Sequence, residues 1–242
     1  MRALVFAAGR GERMRPLTDQ LPKPLLQAGG RSLLEWHLLA LAAAGIREVV
    51  VNTSWCAHRF EPAIGDGAAL GVRVHWLHEG PEPLETGGGM LNALPLLGPE
   101  PFLAVNGDIH LDFDLSRLPR EPSGLAHLLM VPNPAHHPDG DFVLGADGRL
   151  GDGDGPRLTF AGVGVYRPQL LADWRAAFAD EGGDGAAGLD ATPPRFRLAP
   201  VLRAAMVGGA VTGQRFDGRW TDVGTPQRLQ ALDRRLGGSG LA

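Results

Sequence analysis

The sequence predicts an α/β fold built on a parallel sheet. In the first half of the chain, short apolar runs alternate with segments of helical periodicity, which is typical of parallel strands joined by helices. The chain has 242 residues, 44% of them hydrophobic, which is enough for one sizeable core. No internal repeat is present, and the lack of a hexapeptide repeat predicts that there is no C-terminal β-helix.

The first half opens with an apolar run, residues 3–7, that predicts a buried strand over residues 2–7. Ser32, followed three residues later by Glu35, is a capping-box signature for a helix that Gly45 ends. The remaining predicted elements of this half are a strand at 48–52, a helix at 57–64, a strand at 72–77, a helix from Thr86 to Leu97 with Thr86 as its N-cap, and a strand at 102–105.

The second half is less regular, because glycines interrupt its apolar runs. A turn is predicted at Asp147-Gly148. Residues 180–194 are rich in Gly and Asp and predict a mobile loop, and residues 237–242 predict a frayed tail. Strands are predicted at 125–131, 142–144, 158–166 and 210–216, and helices at 168–178, which begins with a proline, at 198–206 and at 226–236.

Composition narrows the class of partner. The net charge is −4, so neither nucleic acid nor a membrane surface is an expected partner, and no apolar run approaches the length that spans a membrane. With Cys56 as the single cysteine, the chain forms no internal disulfide, and a cytoplasmic location is expected. A monomer and a small homo-oligomer both remain open.

The segment from Gly9 to Thr18 is the most informative part of the chain. Gly9 and Gly11 allow the backbone to approach a ligand closely, and exposed N–H groups in such a turn bind anions. The spacing fits neither a Walker A loop nor the Rossmann fingerprint. Positive side chains near these glycines suit the binding of a polyphosphate: Arg10, Arg13, Arg15 and Lys23, which lies between Pro22 and Pro24. The alternative is a surface turn whose arginines are simply solvated.

Two carboxylates are candidate metal ligands. Asp108 follows the predicted strand 102–105 through Asn106 and Gly107, and ligands in open α/β sheets bind beyond such strand ends. Asp222 precedes the last predicted helix. Two carboxylates, phosphate oxygens and water would complete a Mg²⁺ shell. The alternatives are a turn aspartate for Asp108 and a helix-entry residue for Asp222, where Thr225 is the better N-cap.

A third unusual segment runs from Glu79 to Gly89 and contains three successive glycines at the start of a predicted helix. Glycines are unfavourable in a helix, so their presence predicts that a flat base or sugar lies against bare backbone. The alternative is a flexible loop.

Together these segments resemble the sugar-phosphate nucleotidyltransferases. The family pattern G-x-G-x-R-x-x-P-L-T with P-K-P-L downstream matches residues 9–18 and 22–25, and residues 106–108 and 220–226 match its metal-carboxylate segments. The resemblance implies a Rossmann-like three-layer sandwich with a mixed, mostly parallel central sheet. It also implies one domain, 1–242, with a mainly nucleotide-binding half (1–110) and a mainly sugar-binding half (111–236).

The resemblance also implies roles for particular residues. Arg13 and Lys23 are the expected catalytic residues, and Asp108 and Asp222 the expected ligands of Mg²⁺. The expected nucleotide-binding residues are Ala7, Ala8, Gly9, Gly11, Glu79, Gly88 and Asn106, and the expected sugar-binding residues are Gly140, Asp141 and Gly162.

Within the family, the short form and the phrase at residues 84–89 are most similar to uridylyltransferases of cell-wall sugar recycling. The expected reaction is transfer of UMP from UTP to N-acetylmuramic acid 1-phosphate. Guanylyl or thymidylyl transfer to another hexose 1-phosphate stays open, because the Glu79 carboxylate accepts hydrogen bonds from uracil or guanine alike. A non-catalytic nucleotide-binding homologue is the remaining alternative. A nicotinamide-dependent oxidoreductase is disfavoured, because Asn52 stands where a ribose-binding acid is needed.

Overall fold

The computed structural model describes residues 1–179 and 188–237, in two compact units. The unit called here the N-terminal unit contains Arg2–Pro83, Val105–Ser116 and the chain from Gly218 onward. The central unit contains Leu84–Ala104 and the described residues from Arg117 to Asp217. A single domain with halves at 1–110 and 111–236 stays a prediction.

The elements follow the expected α/β order. The strands are β1 (Ala3–Phe6), β2 (Gln27–Ala28), β3 (Arg31–Ser32), β4 (Glu48–Thr53), β5 (Arg73–His78), β6 (Phe102–Asn106), β7 (Ile109–Leu111), β8 (Ala126–Val131), β9 (Phe142–Leu144), β10 (Leu150–Gly151), β11 (Arg157–Tyr166), β12 (Val211–Arg215) and β13 (Trp220–Asp222). The α-helices are α1 (Leu33–Ala43), α2 (Phe60–Ile64), α3 (Glu85–Leu97), α4 (Leu198–Val207) and α5 (Pro226–Gly237).

Parallel strands form the sheet of the N-terminal unit. β4 pairs in parallel with β1 and with β5, and Val51 lies opposite both Val5 and Trp76. Leu4 and Val5 of β1 and the three valines of β4 are fully buried, as expected for strands covered on both faces. The predicted capping box of α1 is confirmed: the Glu35 N–H donates to Ser32 Oγ at 3.2 Å, and the Ser32 N–H donates to Glu35 Oε2 at 2.7 Å.

A short antiparallel ribbon brings the two predicted carboxylate segments side by side. β7 pairs with β13, so that Asp222 lies opposite Ile109, and the Val223 N–H donates to the Asp108 carbonyl at 2.9 Å. The sequence analysis did not predict either strand, because three residues are too few to show an alternating pattern. The ribbon makes Asp108 and Asp222 near neighbours along the backbone.

One apolar cluster of the N-terminal unit fixes the elements around this ribbon. It joins the Gly-rich segment, the β2–β3 hairpin, α1 and α5, so that the last helix of the chain packs beneath the first loop. Its buried members are Met14, Leu26, Ala28, Leu33, Val223, Leu229 and Leu232.

The central unit holds a mixed set of strands. β11 is antiparallel to β8 and β9, β8 is parallel to β12, and β9 and β10 form the hairpin predicted at Asp147-Gly148. The register of β11 against β8 shifts between Phe160 and Gly164, and Gly162 within that bulge has φ +79°. Only glycine takes this conformation at low cost, so Gly162 is required by the bulge itself.

Two sequence predictions are wrong. The segment predicted as a helix at 168–178 forms two short 3₁₀ helices, Pro168–Leu171 and Trp174–Phe178, because Asp173 between them has φ −123° and ψ 43°, which is not helical. Thr86 does not cap its own helix: α3 begins at Glu85, and Thr86 Oγ1 accepts from the Leu198 N–H at 3.0 Å instead.

The segment predicted as one helix at 57–64 forms a 3₁₀ turn, Ala57–Arg59, followed by α2, and the short strands β2, β3 and β10 were not predicted. The other predicted elements lie within about two residues of their predicted bounds. The loop predicted at 180–194 falls largely outside the described residues, as does the predicted tail. No helix of the described ranges has both the length and the apolar character that crossing a membrane needs.

Candidate active site

The Gly-rich segment is a tightly braced turn. Gly11 has φ +63°, and a Cβ there would stand 3.0 Å from Thr18 Cγ2, so the position needs glycine on both counts. The Thr18 hydroxyl donates to the Gly11 carbonyl at 2.8 Å, and its own carbonyl accepts from Trp55 Nε1 at 3.0 Å. Met14 is fully buried. These contacts hold the loop through the carbonyls of Gly11 and Thr18 and through the buried Met14 side chain.

The three arginines of the loop differ in their surroundings. Arg15 forms an exposed pair with Asp19 at 3.4 Å, and Arg10 donates weakly to the Pro81 carbonyl at 3.4 Å. Arg13 is exposed, and in the described part of the chain its guanidinium has no hydrogen-bond or ion-pair partner. Of the three, Arg13 is therefore the one whose donors are uncommitted, and its catalytic role stays a prediction.

Lys23 and Asp108 meet directly. Lys23 Nζ donates to Asp108 Oδ2 at 2.6 Å, with 9% of the lysine side chain and 39% of the aspartate side chain exposed. Gly107 holds Asp108 in place: its N–H donates to the Phe6 carbonyl at 2.9 Å, and a Cβ would come within 2.5 Å of the same oxygen. The two predicted phosphate and metal residues, 85 positions apart, thus share one ion pair.

Asp222 also carries a cation. Its Oδ2 accepts from Arg228 Nη1 at 2.7 Å, and both side chains are more than three-quarters buried. Thr225 Oγ1 accepts from the Arg228 N–H at 3.3 Å, so Thr225 caps α5, as the sequence predicts. A Cβ on Gly224 would overlap the Arg228 guanidinium. The glycine therefore leaves the space through which Arg228 reaches Asp222.

The donor set of Asp108 and Asp222 fits Mg²⁺. Carboxylate oxygens are the hard ligands that this ion prefers, and it usually keeps several waters and substrate phosphates in its shell. Among the described residues, no three His, Cys, Asp or Glu side chains are grouped so that they could hold a metal. Asp108, directly before β7, and Asp222, at the end of β13, would therefore hold the ion only together with phosphate oxygens.

Asn52, which the sequence analysis used only to argue against a nicotinamide cofactor, joins Ala7 and Glu79 through two buried hydrogen bonds. Its Oδ1 accepts from the Ala7 N–H at 2.8 Å, and its Nδ2 donates to Glu79 Oε1 at 2.6 Å. Asn52 and Glu79 are both less than a tenth exposed. The Ala7 N–H is therefore committed to the protein, and the carboxylate predicted to read the base is held by an amide. The sequence feature that could have indicated this role is a polar residue, Asn52, directly after the three valines of β4.

Three other predicted nucleotide residues of this unit lie at or just after the ends of β1 and β6. Ala8 is buried, Gly9 is exposed with open space where a Cβ would stand, and Asn106 ends β6. Their nucleotide contacts stay predictions.

Two imidazoles are buried at the ribbon, His110 within β7 and His37 on α1. Desolvation by burial lowers the pKa of His37 to about 4, with the nearby His110 as the second cause, while the Asp108 charge opposes the shift. Burial likewise lowers the pKa of His110. His37 Nε2 and His110 Nδ1 are buried without a hydrogen-bond partner among the described residues. Burial therefore favours the neutral form of both rings.

In the central unit, the glycines of α3 pack against backbone. The Gly87 and Gly88 N–H groups both donate to the Phe196 carbonyl, at 2.9 and 3.0 Å. A Cβ on Gly88 would overlap the Pro194 carbonyl, and one on Gly87 would stand 2.5 Å from the Phe196 ring. Close packing thus requires these glycines, and the contact of Gly88 with a nucleotide stays a prediction.

The predicted sugar residues Gly140 and Asp141 form a braced turn. Gly140 has φ +65° and packs against Asn133, whose Oδ1 would stand 2.7 Å from a Cβ. Asp141 Oδ2 accepts from the Phe160 N–H at 2.8 Å, and Oδ1 lies 3.3 Å from His137 Nε2. The carboxylate therefore stabilises the turn, and sugar contacts by Gly140, Asp141 and Gly162 stay predictions.

Comparison with known proteins identifies the family. The Nucleotidyl transferase family profile matches residues 2–132, more than half of the chain. The chain belongs to this family. It is 46% identical to the N-acetylmuramate alpha-1-phosphate uridylyltransferase of Neisseria meningitidis serogroup B, over 98% of this chain and 99% of that protein. It is 33% identical to the protein of the same name from Caulobacter vibrioides, over 97% and 96%.

A solved structure supports the fold class. A putative glucose-1-phosphate thymidylyltransferase from Bacillus anthracis, in complex with a sucrose, matches with a TM-score of 0.80 over 98% of this chain and 95% of that one, at 16% identity. The predicted α/β fold of the nucleotidyltransferases, with a mixed sheet, is thereby confirmed, and within the described residues the chain after β13 forms α5 rather than a β-helix.

Asn52→Asp tests whether the hydrogen bond from Asn52 to Glu79 supports nucleotide binding. The aspartate keeps an acceptor for the Ala7 N–H but places a second negative charge 2.6 Å from the Glu79 oxygen. Because a hydrogen bond to a charged group contributes about 1.5–3 kcal/mol, we expect about tenfold or greater loss of affinity for the nucleoside triphosphate. Isothermal titration measures it, with Asn92→Asp as the matched control; equal affinities for the two variants would show that Glu79 does not depend on Asn52.

His37 makes stability depend on pH. Its pKa is 6.5 ordinarily and about 4 in the fold, so the unfolded chain binds more protons between these values and stability falls as pH drops from 6.5 towards 4. We expect His37 to account for about 2 kcal/mol of the loss between pH 7 and pH 5. Urea unfolding of His37→Gln should show a smaller pH-dependent loss than the wild type, while the exposed control His58→Gln should not. Identical pH dependence in all three proteins would contradict the buried neutral imidazole.

Proposed function

We propose that the protein transfers UMP from UTP to N-acetylmuramic acid 1-phosphate, giving UDP-N-acetylmuramic acid and pyrophosphate. The observation that carries the proposal is the likeness, over nearly the whole length, to two proteins named as N-acetylmuramate alpha-1-phosphate uridylyltransferases. The geometry of the N-terminal unit supports the chemistry, because the loop, Lys23, Asn52, Glu79, Asp108 and Asp222 all belong to that one unit.

The reaction is an in-line displacement at the α-phosphorus of UTP. A phosphate oxygen of the sugar 1-phosphate forms the new P–O bond, the bond to the bridging oxygen breaks, and pyrophosphate leaves with the electron pair. Both reactants are anions, so the protein's task is to position them and neutralise their charge. A protein nucleophile is unnecessary.

Lys23 and Arg13 are the proposed charge-neutralising residues. The Lys23 ammonium has three N–H donors, so it can keep its bond to Asp108 while it donates to the α-phosphate and the incoming sugar phosphate. Its low exposure strengthens that interaction, because little water screens it. Arg13, which is exposed on the loop, is proposed to contact the triphosphate and the leaving pyrophosphate.

Mg²⁺ is the proposed cation, with Asp108 and Asp222 as its protein ligands; when bound, it would neutralise charge on the α-phosphate. Glu79, held by Asn52, is proposed to accept the uracil N3–H. Gly9 and Gly11 are proposed to present backbone N–H groups to phosphates, with Ala7, Ala8, Gly88 and Asn106 as further nucleotide contacts. Gly140, Asp141 and Gly162 are proposed to contact the sugar.

The proposal includes a cytoplasmic location and a place in the recycling of cell-wall sugars. A single cysteine, which cannot form an internal disulfide, supports the former. The names of the two relatives, which specify a cell-wall amino sugar, support the latter.

A guanylyltransferase is the competing function. The mannose-1-phosphate guanylyltransferase of Mycobacterium tuberculosis is 40% identical to the chain, but only over 48% of this chain and 32% of that protein. Glu79 also fits the N1–H and N2–H donors of guanine. The full-length likeness to the uridylyltransferases favours UTP.

Pyrophosphate release from a grid of substrates tests the proposal. UTP with N-acetylmuramic acid 1-phosphate and Mg²⁺ should turn over fastest, compared with GTP plus mannose 1-phosphate and dTTP plus glucose 1-phosphate. Asp108→Ala should nearly abolish turnover because it removes a proposed ligand of Mg²⁺, while the exposed control Asp217→Ala should not.

Circular dichroism checks that both variants are folded. The proposed substrates are wrong if UTP with N-acetylmuramic acid 1-phosphate is inert while another pair turns over. The metal role is wrong if folded Asp108→Ala keeps a near-native rate in Mg²⁺.

A further inference from the structure

Each of the two proposed metal carboxylates is already paired with a cation of the protein. Asp108 holds Lys23 at 2.6 Å, and Asp222 holds Arg228 at 2.7 Å. The formal charges of these four side chains cancel. The function of Lys23 was expected from the sequence, whereas Arg228 has no role in the reaction described so far.

Arg228 is built into its position. The backbone N–H of Arg228 donates to Thr225 Oγ1 at 3.3 Å, which fixes the first turn of α5, and its Nη1 reaches back to Asp222. Gly224 leaves the room, since a Cβ there would overlap the guanidinium and stand 3.0 Å from Asp222 Oδ1. Leu229 and Leu232, on the same helix, are buried in the cluster beneath the loop. An arginine held this way orients the Asp222 carboxylate and donates a hydrogen bond to one of its oxygens.

We propose that Arg228 is a positioning residue for Asp222, and that its charge, together with that of Lys23, keeps this pair of carboxylates from binding a divalent cation in the absence of a triphosphate. A free divalent cation would add two charges beside an ammonium and a guanidinium, and these four side chains carry no net negative charge to offset them. A triphosphate brings that negative charge with it. The cation therefore enters as its complex with the nucleotide. The inference rests on the metal role in the proposed function.

The nucleotide-free protein provides the test, with Mn²⁺ as the probe. Electron paramagnetic resonance of free Mn²⁺ measures how much of the ion full-length protein removes from solution. Wild type should bind Mn²⁺ weakly, and Arg228→Gln should bind it about tenfold more tightly at low salt, because a unit charge a few ångströms from the cation is removed. Arg228→Lys, which keeps the charge, should restore the weak binding.

Arg234→Gln is the matched control, since it removes the same charge from an exposed position of the same helix. The inference is overturned if wild type binds Mn²⁺ as tightly without UTP as with it, or if Arg228→Gln binds Mn²⁺ no more tightly than Arg234→Gln. These outcomes require no turnover, so normal turnover with unchanged Mn²⁺ affinity defeats the inference alone. Absence of turnover with every substrate pair defeats the proposed function instead.

Discussion

The ion pair between Lys23 and Asp108 is the interaction on which the N-terminal unit depends. It joins the segment after the Gly-rich loop to the turn that follows β6, and Gly107 docks that turn on the end of β1. An ammonium this deeply buried is tolerated only because a carboxylate meets it. The need to pair this ammonium with a carboxylate therefore constrains the strand ends, the loop and the ribbon together. Pro22 and Pro24, on either side of the lysine, restrict the backbone that carries it.

The same requirement shapes the chemistry. Two carboxylates on one short ribbon would repel each other, yet each is compensated, Asp108 by Lys23 and Asp222 by Arg228. The formal charges of these four side chains cancel, and in the proposed reaction the triphosphate brings the further negative charge. Neutralisation by fixed groups costs no reorganisation when the phosphoryl group moves. The buried Asn52 likewise holds the Glu79 carboxylate, the group proposed to read the base.

Much of this fold could be predicted from the sequence, where local patterns are strong. The capping box at Ser32 and the apolar run of β4 are dictated by neighbouring residues, and the structure has both. The β7–β13 ribbon was missed because its pairing joins residues more than a hundred positions apart. Tertiary contacts also decide the roles of Asn52 and Arg228, and they divert Thr86 from its own helix to the start of α4.

A double-mutant cycle on Lys23 and Asp108 most directly tests whether the two act as one charge-balanced unit. The free energies of unfolding of Lys23→Met, Asp108→Asn and the double variant are compared with that of the wild type in urea, without nucleotide or metal. Side chains in contact typically couple by about 0.5–3 kcal/mol, and we expect the double variant to lose at least about 1 kcal/mol less than the sum of the single losses. Losses that simply add would show that the ion pair does not hold this unit together.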